Sequence, residues 1–354
     1  MIRHRSIKIF SAFILLASAM PAASQALLQP QTTPQPASPT QAAQPGCQKG
    51  DEIPAAVRAA VETAAQQAFD QASRGDVVAL RAGSIDSLQA SFNGVAAVVA
   101  ENKAALAGAR AQTRAVFVLN AVLNAGASPD SYTCGAFSAS GLASGSAVFN
   151  LPGLAAGKWA IVIQDITGPK GPFAMTTIFQ DVGGWKLAGF YVRPEAANGH
   201  DGLWYLLRAR EYKTKGQGHN AWFYYVTSWD LLAPVKFMET NLLGKIIQES
   251  AGLQPPYLPL SGSTVSFSAN GKTYTLTEIS VFGTEKSLDL AIKYTVPSAA
   301  DFNATQADAR GLATAFAGQH PELKDAFDNL WAHAVDPAGV DVAAAVSLKG
   351  TAKP

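Results

Sequence analysis

Between residues 114 and 193 the chain breaks into six short apolar segments separated by glycine, proline and asparagine turns, and this rhythm restricts the fold more than any other feature. The segments are 114–124, 131–138, 145–151, 158–167, 172–181 and 185–193, and Gly183-Gly184 between the last two is a hairpin signal. Three helical stretches precede them. Residues 51–75 carry Val57, Val61, Ala64, Ala65, Ala68 and Phe69 at helical spacing, with Pro54 in the first turn. Asp76 is placed to cap a short helix through Arg81, and residues 91–108 form a third helix with Val95, Val98, Val99 and Leu106 on its apolar side. Helices followed by a run of antiparallel strands predict an α+β layer with the helices on one sheet face.

The opening helix, the Arg74-Gly75-Asp76 turn and the closing hairpin carry a resemblance. That hairpin reads Thr177-Ile178-Phe179-Gln180-Asp181 and then Gly184-Trp185-Lys186-Leu187-Ala188-Gly189-Phe190-Tyr191. Together they resemble an NTF2-like (SnoaL-like, cystatin-fold) domain over about residues 51–194. The resemblance implies a cone, a curved antiparallel sheet wrapped on helices with a pocket inside. Some members of that family are enzymes and many only bind or dimerise, so the fold does not give the function. Within such a cone Asp165 and Asp181 are the candidate pocket carboxylates, and a buried one would act as a general base.

From residue 201 to 234 the small and large residues Trp204, Leu207, Ala209, Tyr212, Gly216, Ala221, Tyr225, Ser228 and Pro234 resemble one tetratricopeptide-like helical hairpin. A solenoid needs about three such repeats to bury its core, so a single one predicts a connector, continued by a helix over 235–252. Beyond the Pro255-Pro256 break come strands at 264–268, 272–282 and 287–296, with Asn270-Gly271 as a strong hairpin signal. Two helices are then expected at 304–317 and 321–334, and a returning strand at 339–348. The fold class read from the chain is therefore α+β: an NTF2-like cone at 51–195, a helical connector at 196–253 and a smaller α+β domain at 254–354.

The first 26 residues read as an export signal. Arg3, Arg5 and Lys8 precede an apolar run at 9–19, and Ala22, Ala23, Ser24 and Ala26 supply a small-residue cleavage region. Cleavage is expected after Ser24 or Ala26, with Ala19 as a third choice; an uncleaved anchor is the alternative. The run is shorter than the about 20 residues a membrane span needs. Residues 27–50 are rich in proline and glutamine and predict an extended linker. The chain has 27 lysines and arginines against 26 acids, and loss of the leader leaves a slight acidic excess. That balance argues against a nucleic-acid partner, and no integral membrane span is expected after signal cleavage. Cys47 and Cys134 are the sole cysteines. In an exported chain an intramolecular disulfide is the leading reading, with free thiols or an intermolecular bridge as alternatives.

No catalytic motif stands out. There is no H-E-x-x-H, no G-x-S-x-G and no Walker spacing, so neither a catalytic residue, a metal nor a cofactor is predicted. His200 and His219 read first as helix-terminal polar residues, with His200-Asp201 as an N-cap; the alternative is a metal or acid–base cluster at the base of the helical hairpin, while His320 opens a helix at Pro321 and His333 lies near that helix's end. Trp222, Phe223, Tyr224, Tyr225 and Trp229 put aromatic rings on opposite sides of one helix, which must then be covered on both. They either pack between the flanking domains or form an interaction surface through Trp222, Tyr224, Tyr225 and Trp229. Two functions remain open. The first is a non-catalytic binding or assembly module of the cell envelope, with an envelope protein or a second copy as partner. The alternative is a small-molecule binder or enzyme using the NTF2-like pocket.

Overall fold

The computed structural model describes residues 46–121, 130–135, 137–138, 141–142, 145–260, 262–284 and 286–349. The export signal, and the linker up to residue 45, lie outside the described residues. The fold is α+β. In chain order the first unit comprises β1 (Cys47–Lys49), α1 (Ala55–Arg74), α2 (Val77–Ala82), α3 (Asp86–Ala90), α4 (Asn93–Glu101), α5 (Lys103–Leu106), β2 (Arg110–Ala121), β3 (Ser131–Cys134), β4 (Phe137–Ser138), β5 (Gly141–Leu142), β6 (Ala147–Asn150), β7 (Gly157–Gly168), β8 (Gly171–Asp181) and β9 (Trp185–Pro194).

Helix α1 forms because Val61, Ala65, Ala68, Phe69 and Ala72 recur on one face, where all are buried. It stops at Gly75, whose left-handed φ of 72° lets the chain turn back while the Asp76 amide bonds the Gln71 carbonyl. Asp76 caps α2 through the Ala79 amide at 3.0 Å, as its position in the sequence predicts. The single helix expected at 91–108 is divided into α4 and α5 at Asn102, whose side chain bonds back to the Val98 carbonyl.

Strands pair antiparallel in the order β1-β2-β7-β8-β9. Bulges between Thr113 and Ala115 and between Ile178 and Phe179 strengthen the local twist. The helices cover one face through Phe69, Leu80, Phe92 and Val99 against Val116, Val162, Met175 and Phe190. The other face is covered too. Strands β3 and β6 do not join the large sheet; they make a sheet of their own that packs on it through Tyr132 and Phe149 against Phe117, Ile161 and Ile163. Burial on both sides explains why β7 reads as a continuous apolar run rather than an alternating one.

The second part of the chain adds β10 (Ala196–Ala197), β11 (His200–Asp201), α6 (Gly202–Thr214), α7 (Gly218–Leu232), β12 (Met238–Glu239) and α8 (Asn241–Ser250). It ends with β13 (Val265–Ala269), β14 (Lys272–Gly283), β15 (Leu288–Thr295), α9 (Phe302–Gln319), β16 (Asn329–Val335) and β17 (Asp341–Ser347). Strands β13 to β17 form one sheet in sequence order. Asn270 and Gly271, with φ of 54° and 71°, make the tight hairpin between β13 and β14. Helix α9 is the crossover between the parallel strands β15 and β16, and β17 returns antiparallel.

Two expectations are corrected here. The helix expected at 321–334 is a short 3-10 turn, Pro321–Asp325, followed by strand β16. Leu330, Ala332 and Ala334 are fully buried while their neighbours are half-buried, a period of two that places them against α9. The helix expected at 235–252 is β12 followed by the shorter α8.

The helical pair is not a free-standing connector either. Tyr205, Ala209, Ala221, Phe223 and Tyr224 share one core with Leu290, Ile292, Phe316 and Phe327 of the second sheet. In the opposite direction, β12 pairs with β6 (Met238 opposite Phe149), and Val235 and Met238 join the core of the first unit. Arg193 of β9 binds the Asp230 carboxylate of α7 across the same junction.

Candidate functional site

The aromatic helix pair was the sequence's strongest surface candidate. Helices α6 and α7 run antiparallel and approach tightly at Gly202, where an added Cβ would lie 2.5 Å from Leu232 Cγ and 3.0 Å from the Ser228 carbonyl. Ser228, fully buried at this contact, donates to the Gly202 carbonyl at 2.7 Å. The aromatic side chains turn inward. Tyr224 and Tyr225 are 5% and 1% exposed and Trp222 and Trp229 are half-buried, so of the two readings of these rings packing describes most of the helix. Each tyrosine hydroxyl keeps a partner: Tyr224 donates to the Ala326 carbonyl at 2.7 Å and Tyr225 to Glu249 at 3.1 Å. Burial, with the Glu249 carboxylate alongside, pushes the Tyr225 hydroxyl up to about 12. Glu249 is itself held below its ordinary range by its bidentate bond to Arg210. Outward, α6 presents Leu207, already part of the small/large pattern of the helical hairpin, and Leu203, which that pattern does not include.

The two candidate pocket carboxylates fall outside the space between helices and sheet. On β7, Val162 and Ile166 face the helices and Ile161 and Ile163 face the opposite way, so Asp165 lies on the side away from the helices. There it shares Arg114 with Glu195. Burial alone would lower the Arg114 guanidinium, but the bonds to Asp165 and Glu195 outweigh it and hold its pKa raised. Asp181 is exposed at the β8–β9 turn and accepts from the Gly184 amide at 3.2 Å. Neither position suits a general base in an enclosed pocket.

The polar side chain that does face the helices is Gln164, paired with Met175 and 1% exposed. Neither its Oε1 nor its Nε2 has a hydrogen-bond partner, and the nearby Thr177 hydroxyl also lacks one. A buried amide without partners carries its full desolvation cost. Gln164→Met is therefore expected to raise unfolding stability by about 1–3 kcal/mol in urea denaturation, and a loss of stability would show that the amide is satisfied in solution.

The structure separates His200 from His219 and leaves Asp201 as a helix cap. The antiparallel hairpin places the start of α6 beside the end of α7, so His200 and His219 lie at opposite ends, roughly 20 Å apart along the helix. His200 stacks flat on Trp204 with ring centroids 3.8 Å apart, and Asp201 caps α6 at the Trp204 amide. His333 is on strand β16, not at a helix end, and its Nδ1 is 3.0 Å from Asp341.

His219, the second residue of α7, instead meets His320, which ends α9, and Glu322 in the 3-10 turn that follows. His219 Nδ1 is 3.3 Å from Glu322 Oε1, and His320 Nδ1 is 3.9 Å from the same oxygen. Tyr257, from the proline-rich loop before β13, closes one side with its ring 4.3 Å from His320 and 5.2 Å from His219. The backing is firm. Asn220 donates to the Glu322 carbonyl at 2.7 Å, and Gln217 to Asp325 at 2.7 Å. Burial lowers the His320 pKa, with Glu322 opposing and His219 adding to the shift. The sequence held one local signal for this cluster, His320 and Glu322 flanking Pro321; the partner on α7 is about a hundred residues away.

No helix among the described residues is long and apolar enough to cross a membrane. Comparison of the chain with protein-family models, with curated proteins and with solved structures finds no match.

Proposed function

We propose that this chain is exported and works outside the cytoplasm as a non-catalytic binding or assembly module of the cell envelope. The observation that carries the reading is the outward face of α6. Leu203 and Leu207, one helical turn apart, are 50% and 58% exposed, although the same helix pair buries Tyr205, Phe223, Tyr224 and Tyr225. Exposed leucines one turn apart on a rigid helix are the anchors by which helical surfaces engage a partner. Export is supported by the leader sequence and by the Cys47–Cys134 bridge, a cross-link that persists in oxidising compartments.

An NTF2-like origin for residues 51–195 is part of this reading, supported by the helices packed on one face of a bulged antiparallel sheet. A tetratricopeptide-like origin for α6 and α7 is supported by their close antiparallel contact at Gly202. Asp165, tied to Arg114 on the far side of the sheet, favours binding over pocket catalysis.

The test is site-specific photocrosslinking in the native cell. A photoreactive residue at position 203 or 207 is expected to give one discrete adduct, with another envelope protein or with a second copy of the chain. The same probe at Val78, which is 82% exposed on α2, is expected to give none. No adduct from α6, or the same adducts from all three positions, ends the reading.

A further inference from the structure

We propose that His219, His320 and Glu322 bind one divalent transition-metal ion, with zinc the best fit. The side chains come from two places about a hundred residues apart in the chain, His219 on one side and His320 with Glu322 on the other, yet their ligating atoms all lie within 4.8 Å of one another. Tetrahedral zinc, with bonds of about 2.0–2.1 Å, holds its ligand atoms roughly 3.3 Å apart. The His219–Glu322 separation of 3.3 Å already has that value, and the His320–Glu322 separation of 3.9 Å reaches it by a small ring rotation.

The environment matches the chemistry. Two imidazoles and one carboxylate select zinc, nickel or copper over magnesium and calcium, which prefer all-oxygen sites. The three side chains are 34%, 18% and 27% exposed, partly desolvated yet open to an arriving ion. Their geometry is set from behind by Asn220, fully buried and bonded to the Glu322 carbonyl, and by Tyr224, which fixes the Ala326 carbonyl a few residues on.

A second observation is independent of the triad. The Tyr257 ring packs against both imidazoles, the residue is 8% exposed, and its hydroxyl has no hydrogen-bond partner. Three protein ligands leave the fourth zinc position to a water. Such a water is the kind of partner that the buried hydroxyl lacks.

The test uses the untagged, metal-stripped protein titrated with zinc chloride at pH 7.5 against a chromophoric chelator. Uptake of one zinc per chain at micromolar affinity or tighter is expected, with millimolar magnesium and calcium unable to displace it. His219→Asn and Glu322→Gln are each expected to weaken binding ten- to hundredfold, while His200→Asn and His333→Asn leave it unchanged. His219 is half-exposed at a helix start, so its variant folds; for the more buried His320, X-ray absorption on the zinc-loaded wild type replaces mutation and is expected to show two imidazoles. Absence of stoichiometric uptake by the folded wild type, undiminished uptake in H219N and E322Q, or a spectrum without imidazole overturns the proposal.

Discussion

Removing the Cys47–Cys134 bridge by replacing both cysteines with alanine is expected to lower unfolding stability by about 4–5 kcal/mol in the chain-entropy model. The bridge joins residues 87 positions apart, and a loop of that length restricts the unfolded chain strongly. It also carries local structure. Strand β1 has three residues and lies at the edge of the large sheet, paired only with β2. Cys134 is fully buried in the core beneath the small sheet. The next residue, Gly135, has φ of 104°, and a side chain there would meet Ser146 Oγ at 2.3 Å, so the turn after the bridge accepts no other residue without strain. Urea denaturation with and without reductant measures the loss. A difference below about 1 kcal/mol would mean that the unfolded chain already holds the two ends together, and that the bridge acts only on β1.

Arg193→Met is expected to destabilise the protein by about 3–5 kcal/mol, because it strips the buried Asp230 carboxylate of the guanidinium bonded to it. Asp230 is 5% exposed, and Arg193 bonds both its carboxylate and its backbone carbonyl. The double variant Arg193→Met with Asp230→Leu is expected to recover most of the loss, since removing both charges removes the desolvation cost as well. Denaturation midpoints of the three proteins check this. Equal losses in the single and double variants would instead locate the effect in packing between β9 and α7.

Sequence reasoning reached the elements more readily than their partners. The hairpins at Gly183-Gly184 and Asn270-Gly271 were legible because positive φ demands those residues. The disulfide was legible because only two cysteines exist. Strand β16 was misread as helix: Leu330, Ala332 and Ala334 are separated by Trp331 and His333, and alanine's helix preference hid a period of two over seven residues. Cover over Tyr224 and Tyr225 was legible from aromatic rings on opposite sides of one helix, but nothing local reveals that the C-terminal sheet provides it. The Asp165 error has a similar cause. Its side of β7 was ambiguous in a strand buried on both faces, where alternation of polarity is lost. The histidine cluster showed only its short half, His320 and Glu322, since its third member His219 is about a hundred residues away on another helix.

The pairing of β12 with β6 has a consequence for the order in which the chain assembles. A polypeptide emerging from its amino end presents β6 with one bare edge until residues 238–239 arrive, roughly 90 residues and on the order of 5–20 s later at ordinary synthesis rates. During that interval Phe149 and Tyr132 are missing the cover that Val235 and Met238 later provide. An unpaired strand edge is a template for any matching strand, including the Met238–Glu239 segment of a neighbouring molecule. The short segment that locks the two halves of one chain together is thus also the element through which two crowded nascent chains would exchange strands.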